Sequence, residues 1–144
     1  MVAAAANAGG ARGAGRMGIQ NGQVVQEFGD GGADGETLRA EIEHITGTPV
    51  LDADADDVVD VVLLWWREED GDLADGVVDV LDALEDDGTM WVLTPKSGRD
   101  GHVSASDVDE AAAIAGLHVT STNMVGNDWT AARLTAPKGT PKGT

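Results

Sequence analysis

The sequence contains no cysteine. That absence excludes disulfides, thiolate zinc sites, iron–sulfur clusters and thiol nucleophiles, and with them several enzyme classes. Tyrosine is also absent and phenylalanine occurs once, so four tryptophans carry most of the aromatic content and the core must be largely aliphatic. Basic residues are scarce: nine Lys and Arg stand against 26 Asp and Glu, a formal net charge of -17. A field of that sign repels phosphate backbones and anionic lipid, which argues against nucleic acid and membrane as partners. Long apolar runs are missing as well. The longest, Val61 to Trp66, is far shorter than the roughly 20 residues a helix needs to span a bilayer. Met1 to Gly18 has no Leu- or Val-rich signal core, and Arg12 and Arg16 fall where such a core would lie, so a cytoplasmic location is expected.

What is present suits one α/β domain, since a chain of 144 residues is long enough to bury an independent core. Residues 1–18, rich in Ala and Gly, read as a flexible segment, residues 19–136 as a single Rossmann-like domain, and residues 137–144, twice Pro-Lys-Gly-Thr, as a disordered basic tail. Val24, Val25 and Phe28 mark a first strand that ends in Gly29-Asp30-Gly31-Gly32. Asp34 is placed to cap a helix to about Thr46, with Leu38, Ile42 and Ile45 at helical spacing, Arg39 on another face and Gly47 as the stop, after which Pro49, Val50 and Leu51 can add a very short strand. The run Val58 to Trp66 predicts a strand covered on both faces. Asp72 caps a second helix whose apolar stripe is Leu73, Val77, Val80, Leu81 and Leu84, with its stop at Asp87-Gly88. Thr89 to Thr94 is a further strand, a third helix starts at Ser104 or Ser106, and strands at Leu117–Val125 and Trp129–Ala136 flank an Asn127-Asp128 turn. The expected fold is a compact three-layer α/β arrangement, a mainly parallel sheet ending in an antiparallel strand pair.

This order loosely resembles an abbreviated S-adenosylmethionine-dependent methyltransferase core. Val24 to Gly32 corresponds to its first strand and glycine turn, Asp60 to Trp66 to its central strand, and Asp87-Gly88 to Pro95 to a later one. The glycine spacing differs. Only Gly47 to Asp57 separates the first helix from the central strand, which leaves Asp52 as a poor equivalent of the acidic residue that holds the ribose in such enzymes. A more specific likeness starts at Met17. Met17-Gly18-Ile19, Val24-Val25-Gln26-Glu27, Asp57 to Arg67, Leu93 to Val103, Asp128-Trp129 and Arg133-Leu134 together resemble an actinobacterial family, domain of unknown function 3052. That family supplies no established catalytic residues to carry over.

In an open parallel sheet, ligands sit beyond the carboxyl ends of the strands. Three loops meet there in principle. Gly29, Gly31 and Gly32 could cradle a phosphate, or simply join strand to helix, and they lack the Lys-Ser or Lys-Thr of a phosphate loop. Lys96, Ser97 and Arg99 are candidates for a phosphate or carboxylate, with pairing to nearby carboxylates as the alternative. His102 beside them could move a proton, although no Ser–His–acid set can be assigned. Asp52, Asp54, Asp56, Asp57 and Asp60 lack the glycine and terminal Glu of a calcium loop and read as a solvated turn, so no metal site is assigned. Trp66, Arg67 and Trp129 are candidates for contact with a partner, Trp129 as an exposed aromatic, although burial against the sheet is the competing reading. These features favour a non-catalytic regulatory or scaffolding protein with a protein partner and no cofactor. A protein that binds a small anionic or nucleotide-like metabolite is the alternative, and a degenerate methyltransferase ranks below both.

Overall fold

The period-two and continuous apolar runs form one five-stranded sheet in the computed structural model, which describes residues 14–137. The strands are β1 (Val25–Phe28), β2 (Val59–Trp65), β3 (Leu84–Pro95), β4 (His118–Val125) and β5 (Trp129–Thr135), in the order β1-β2-β3-β5-β4. β1, β2 and β3 are parallel, whereas β5 runs antiparallel to both β3 and β4. The mainly parallel sheet with its terminal antiparallel pair is therefore present.

Helix α1 (Gly32–Thr46) covers one face, burying Leu38 and Ile42 with Val25, Val61, Leu63, Trp65, Trp91 and Trp129. Helices α2 (Leu73–Leu81) and α3 (Ala105–Ile114) cover the other, where Leu73, Val77, Val108 and Ala112 pack on Val62, Leu64, Met90 and Val92. Both faces of β2 are thus occluded, and that is why its sequence is an almost unbroken apolar run. Asp72 and Ser104 are N-caps as expected, their side chains accepting from the N–H groups of Ala74 and Asp107 at 3.1 Å.

Four expectations are corrected. Helix α1 starts at Gly32 with Gly31 as its N-cap, so Asp34 lies in the first turn, where a negative charge still suits the helix dipole. Helix α2 ends at Leu81 instead of running on to Gly88. Leu84 opens β3 and pairs with Val59, and the ladder resumes past an irregularity at Val61–Thr89. Pro49 to Leu51 contributes one bridge, Leu51 to Gln26, rather than a strand. The segment expected to be flexible through residue 18 is packed from Ala14 onward, because Ala14 and Met17 are buried under the α1 face. Residues 1–13 and the basic tail from 138 onward lie outside the described residues. Among the described residues, no helix is long and apolar enough to cross a membrane.

Candidate functional site

The carboxyl ends of β1 and β2 meet on the α1 face. Strand alternation puts Glu27 on the same inward side as Val25, and Trp65, the last residue of β2, faces it. Glu27 is 8% exposed. Its Oε1 accepts from Arg39 Nε at 2.9 Å and Nη2 at 2.8 Å, and its Oε2 accepts from Trp65 Nε1 at 2.7 Å. Arg39, its side chain still 41% exposed, thus reaches back to the sheet, and the hydrogen bond to Glu27 holds its guanidinium even more firmly protonated than usual. A buried carboxylate is tolerated when its lone pairs are filled in this way.

The Trp65 indole occupies the space beneath the glycine turn. A Cβ on Gly31 would stand 2.6 Å from the indole ring atoms, and one on Gly29, where φ is 85°, would stand 2.5 Å from the Trp65 carbonyl oxygen. These two glycines are small because a tryptophan lies against them. Trp65 meets Trp129 edge to face, with centroids 4.8 Å apart and planes at 83°. Above them, the Arg67 guanidinium lies 4.8 Å from the Trp129 ring centroid, and Arg67 Nη1 donates to the Asp30 carbonyl at 3.0 Å. The loop before α3 closes on the same spot, since Glu68 N–H donates to the Gly101 carbonyl at 3.0 Å. The three loops do converge, and they converge on side chains.

The remaining candidate residues are placed as follows. Arg99 pairs with Asp128 at 3.0 Å, both about half exposed, and the Lys96 N–H donates to the Asp128 carbonyl at 2.9 Å. Ser97 is exposed at the tip of that turn. His102 is exposed, with Nδ1 2.9 Å from the Pro95 carbonyl, and it borders a depression of about 110 Å³ between α3 and the sheet, away from the glycine turn. Trp66 is half-buried on the α2 face, with its Nε1 donating to the Gly71 carbonyl at 3.3 Å. Trp129 is 5% exposed and presents no free aromatic face. Among the described residues, no group of three or more His, Cys, Asp or Glu is arranged to hold a metal. Cavities of about 230 and 450 Å³ also exist; neither of these, nor the 110 Å³ depression, is lined by residues 29–32 or 96–99.

Sequence reasoning passed over Glu27 and Arg39. The available signal was an acidic residue at an inward position of a strand, which requires a buried cation or donor somewhere else in the chain.

Comparison with known proteins places this geometry in context. The family model described as protein of unknown function (DUF3052) matches residues 14–138. Uncharacterized protein Rv2239c of Mycobacterium tuberculosis and uncharacterized protein Mb2263c of Mycobacterium bovis are each 48% identical over 123 residues, which is 85% of this chain and 77% of theirs. Among solved structures, a magnesium protoporphyrin IX methyltransferase from Synechocystis PCC 6803 with bound SAM superposes with a TM-score of 0.56 at 12% identity, covering 85% of this chain and 74% of that one. A SAM-dependent methyltransferase from Aquifex aeolicus gives 0.55 at 13% identity, covering 85% and 87%. The pyocyanin biosynthetic protein PhzM gives 0.64 at 13%, covering 94% and 56%. These likenesses establish the fold, an open five-stranded α/β sheet of the methyltransferase type. At the glycine turn of this chain the Trp65 indole fills the space beneath Gly31, and Arg67 bridges Asp30 to Trp129.

Proposed function

The chain belongs to the protein family of unknown function DUF3052, and from that premise we propose that it is a methyltransferase-like domain with a closed cofactor edge, acting without catalysis through contact with a protein partner. The observation that carries this reading is the Trp65 indole, 1% exposed, hydrogen-bonded to Glu27 and set edge to face with Trp129 beneath the glycine turn. A side chain so fully partnered is part of the fold and does not stand aside for a ligand at low cost.

Support for a protein contact comes from the other end of the sheet. β4 is an edge strand of eight residues, and no Asp, Glu, Lys or Arg occurs between Ala111 and Asn127. Such an edge lacks the charges and prolines that normally prevent strand pairing, and it offers unpaired main-chain groups to an extended segment. The opposite edge is covered, because Leu51 exchanges hydrogen bonds of 2.9 Å with Val25 and Glu27 of β1. In a chain of -17, a neutral strand is also where a partner meets the least local charge.

Two measurements test the reading. Calorimetric titration of the full chain with S-adenosylmethionine is expected to give no saturable heat up to about 1 mM, and micromolar binding would end the closed-edge argument. Thr122→Lys/Met124→Lys, which places charge on the β4 edge, is expected to release a partner that the wild-type chain recovers from an actinobacterial lysate. A partner retained equally by both would show that β4 is not the contact.

A further inference from the structure

On the α1 face, beyond the reach of the helix, a cavity of about 450 Å³ lies between the sheet and the segment Arg16 to Gln20. The strand register builds its floor: Trp91 of β3 pairs with Arg133 of β5, and Arg133 pairs with Ser121 of β4, so the three form one row across the sheet. Trp129 and Ala131 of β5 are both buried in the α1-side core, so two further residues along, alternation turns Arg133 toward that same side. An arginine at an inward position ordinarily has a carboxylate partner. Among the described residues, neither Arg133 nor Arg16 forms an ion pair; the Arg133 side chain makes one long contact, from Nη1 to Thr120 Oγ1 at 3.4 Å.

The neighbouring indole has the same deficit. Trp91 is 1% exposed, lines this cavity, and its Nε1 is a buried donor with no hydrogen-bond partner. A buried N–H without an acceptor costs about 1–3 kcal/mol, which is why such groups are rare unless something outside the chain completes them. Two guanidinium groups without carboxylates line one space, and a buried indole N–H without an acceptor belongs to a third residue of its lining; they share a single chemical remedy, an anionic group rich in acceptors. Asp87 on the rim is the opposing charge, and it leaves the titratable lining with an excess of one positive charge. The volume lies within the range of small-molecule sites.

We propose that this cavity binds a small metabolite through a carboxylate or phosphate group, with Arg133 forking the anion from the sheet, Arg16 closing on it from the N-terminal segment, and Trp91 Nε1 donating to one of its oxygens. The site is separate from the glycine turn and from the Lys96–Arg99 loop, and it stands whether or not β4 docks a protein.

The test uses the full chain at low ionic strength, with citrate, phosphoglycolate and pyrophosphate as probes, followed by calorimetry and by tryptophan fluorescence. Saturable binding of at least one probe at or below about 1 mM is expected, with a change in emission that is absent in Trp91→Phe. Arg133→Met and Arg16→Ala should each weaken binding about tenfold or more, whereas Lys96→Ala should leave it unchanged. Arg16 is exposed, so its variant remains informative should Arg133→Met fold poorly. No saturable binding of any probe, equal affinity in Arg16→Ala, or a loss confined to Lys96→Ala would each overturn the assignment.

Discussion

A carboxylate taken out of water needs its lone pairs filled, and Glu27 receives its donors from residues 12 and 38 positions away along the chain. That separation is why the cluster of Glu27, Arg39 and Trp65 was hard to read. The sequence displayed a glycine-rich turn, which points equally to a phosphate cradle and to a tight connection, and nothing local shows that a tryptophan from β2 rests against it. The inward placement of Glu27 was legible from alternation with Val25, and so was the division of Trp65 and Trp66 between opposite faces. Their partners were not. The arrangement makes a sharp prediction at Gly31, whose φ of -95° any residue can adopt, so that the objection to a side chain there is purely steric. Gly31→Ala drives a methyl group against the indole and is expected to cost about 1–3 kcal/mol of stability in urea unfolding. In a Trp65→Phe background the penalty should shrink, because the smaller ring leaves room. An equal penalty in both backgrounds would mean that the indole is not what excludes the side chain.

Elements whose signals are local were legible, such as α2 and α3 with caps at Asp72 and Ser104, while the α2–β3 junction was not. Leu84 continues the apolar stripe of α2 at helical spacing, but Asp82, Glu85, Asp86 and Asp87 would then gather at the negative end of the helix dipole. The chain instead stops the helix at Leu81 and gives Leu84 to β3. This junction joins three strands through one pair of acids. Asp60 Oδ2 accepts from the Val24 N–H at 2.8 Å, and the Asp60 carboxyl is held below its ordinary range by a hydrogen bond from Glu85 and then by that N–H. The Glu85 carboxyl is raised, first by the same hydrogen bond and then by the negative charge of Asp60, with Asp87 and Asp86 adding to it. The linkage signs are opposite. The contribution of Asp60 is present above its ordinary value and is lost as pH falls through its depressed one. That of Glu85 is complete below its ordinary value and is lost as pH rises through its raised one. The pair is therefore most favourable between the depressed Asp60 value and the raised Glu85 value, with one proton between its members, and above the raised value two carboxylates face each other. Glu85→Gln keeps an N–H donor toward Asp60 at every pH. Its Tm is expected to exceed that of the wild type above the raised Glu85 value, with the gap closing as pH falls through that value. A gap that widens on acidification would contradict the shared-proton arrangement.

For the molecule as a whole, the distribution of charge matters more than its sum. Between Asp52 and Asp87 there are 15 acidic residues and one basic residue, Arg67, while the stretch from Ala111 to Asn127 carries no Asp, Glu, Lys or Arg. Among the described residues, two ion pairs occur, Arg39–Glu27 and Arg99–Asp128, and the first is half sheltered. Added salt therefore has little attraction to weaken and much repulsion to screen. The Tm is expected to rise between about 0.05 and 0.5 M NaCl, by several degrees if screening recovers about 1–2 kcal/mol in a domain of this size. The shape of the rise identifies its cause. The Debye length is already about 10 Å at 0.1 M and about 3 Å at 1 M, so screening must level off across that interval. A rise that stays linear to higher concentration would reflect salt exclusion from the protein surface, a solvent effect that sulfate would produce more strongly than chloride. A fall would mean that attractive contacts outweigh the repulsion of a -17 chain, and the acidic segment would then have to be paired in ways that its sequence does not suggest.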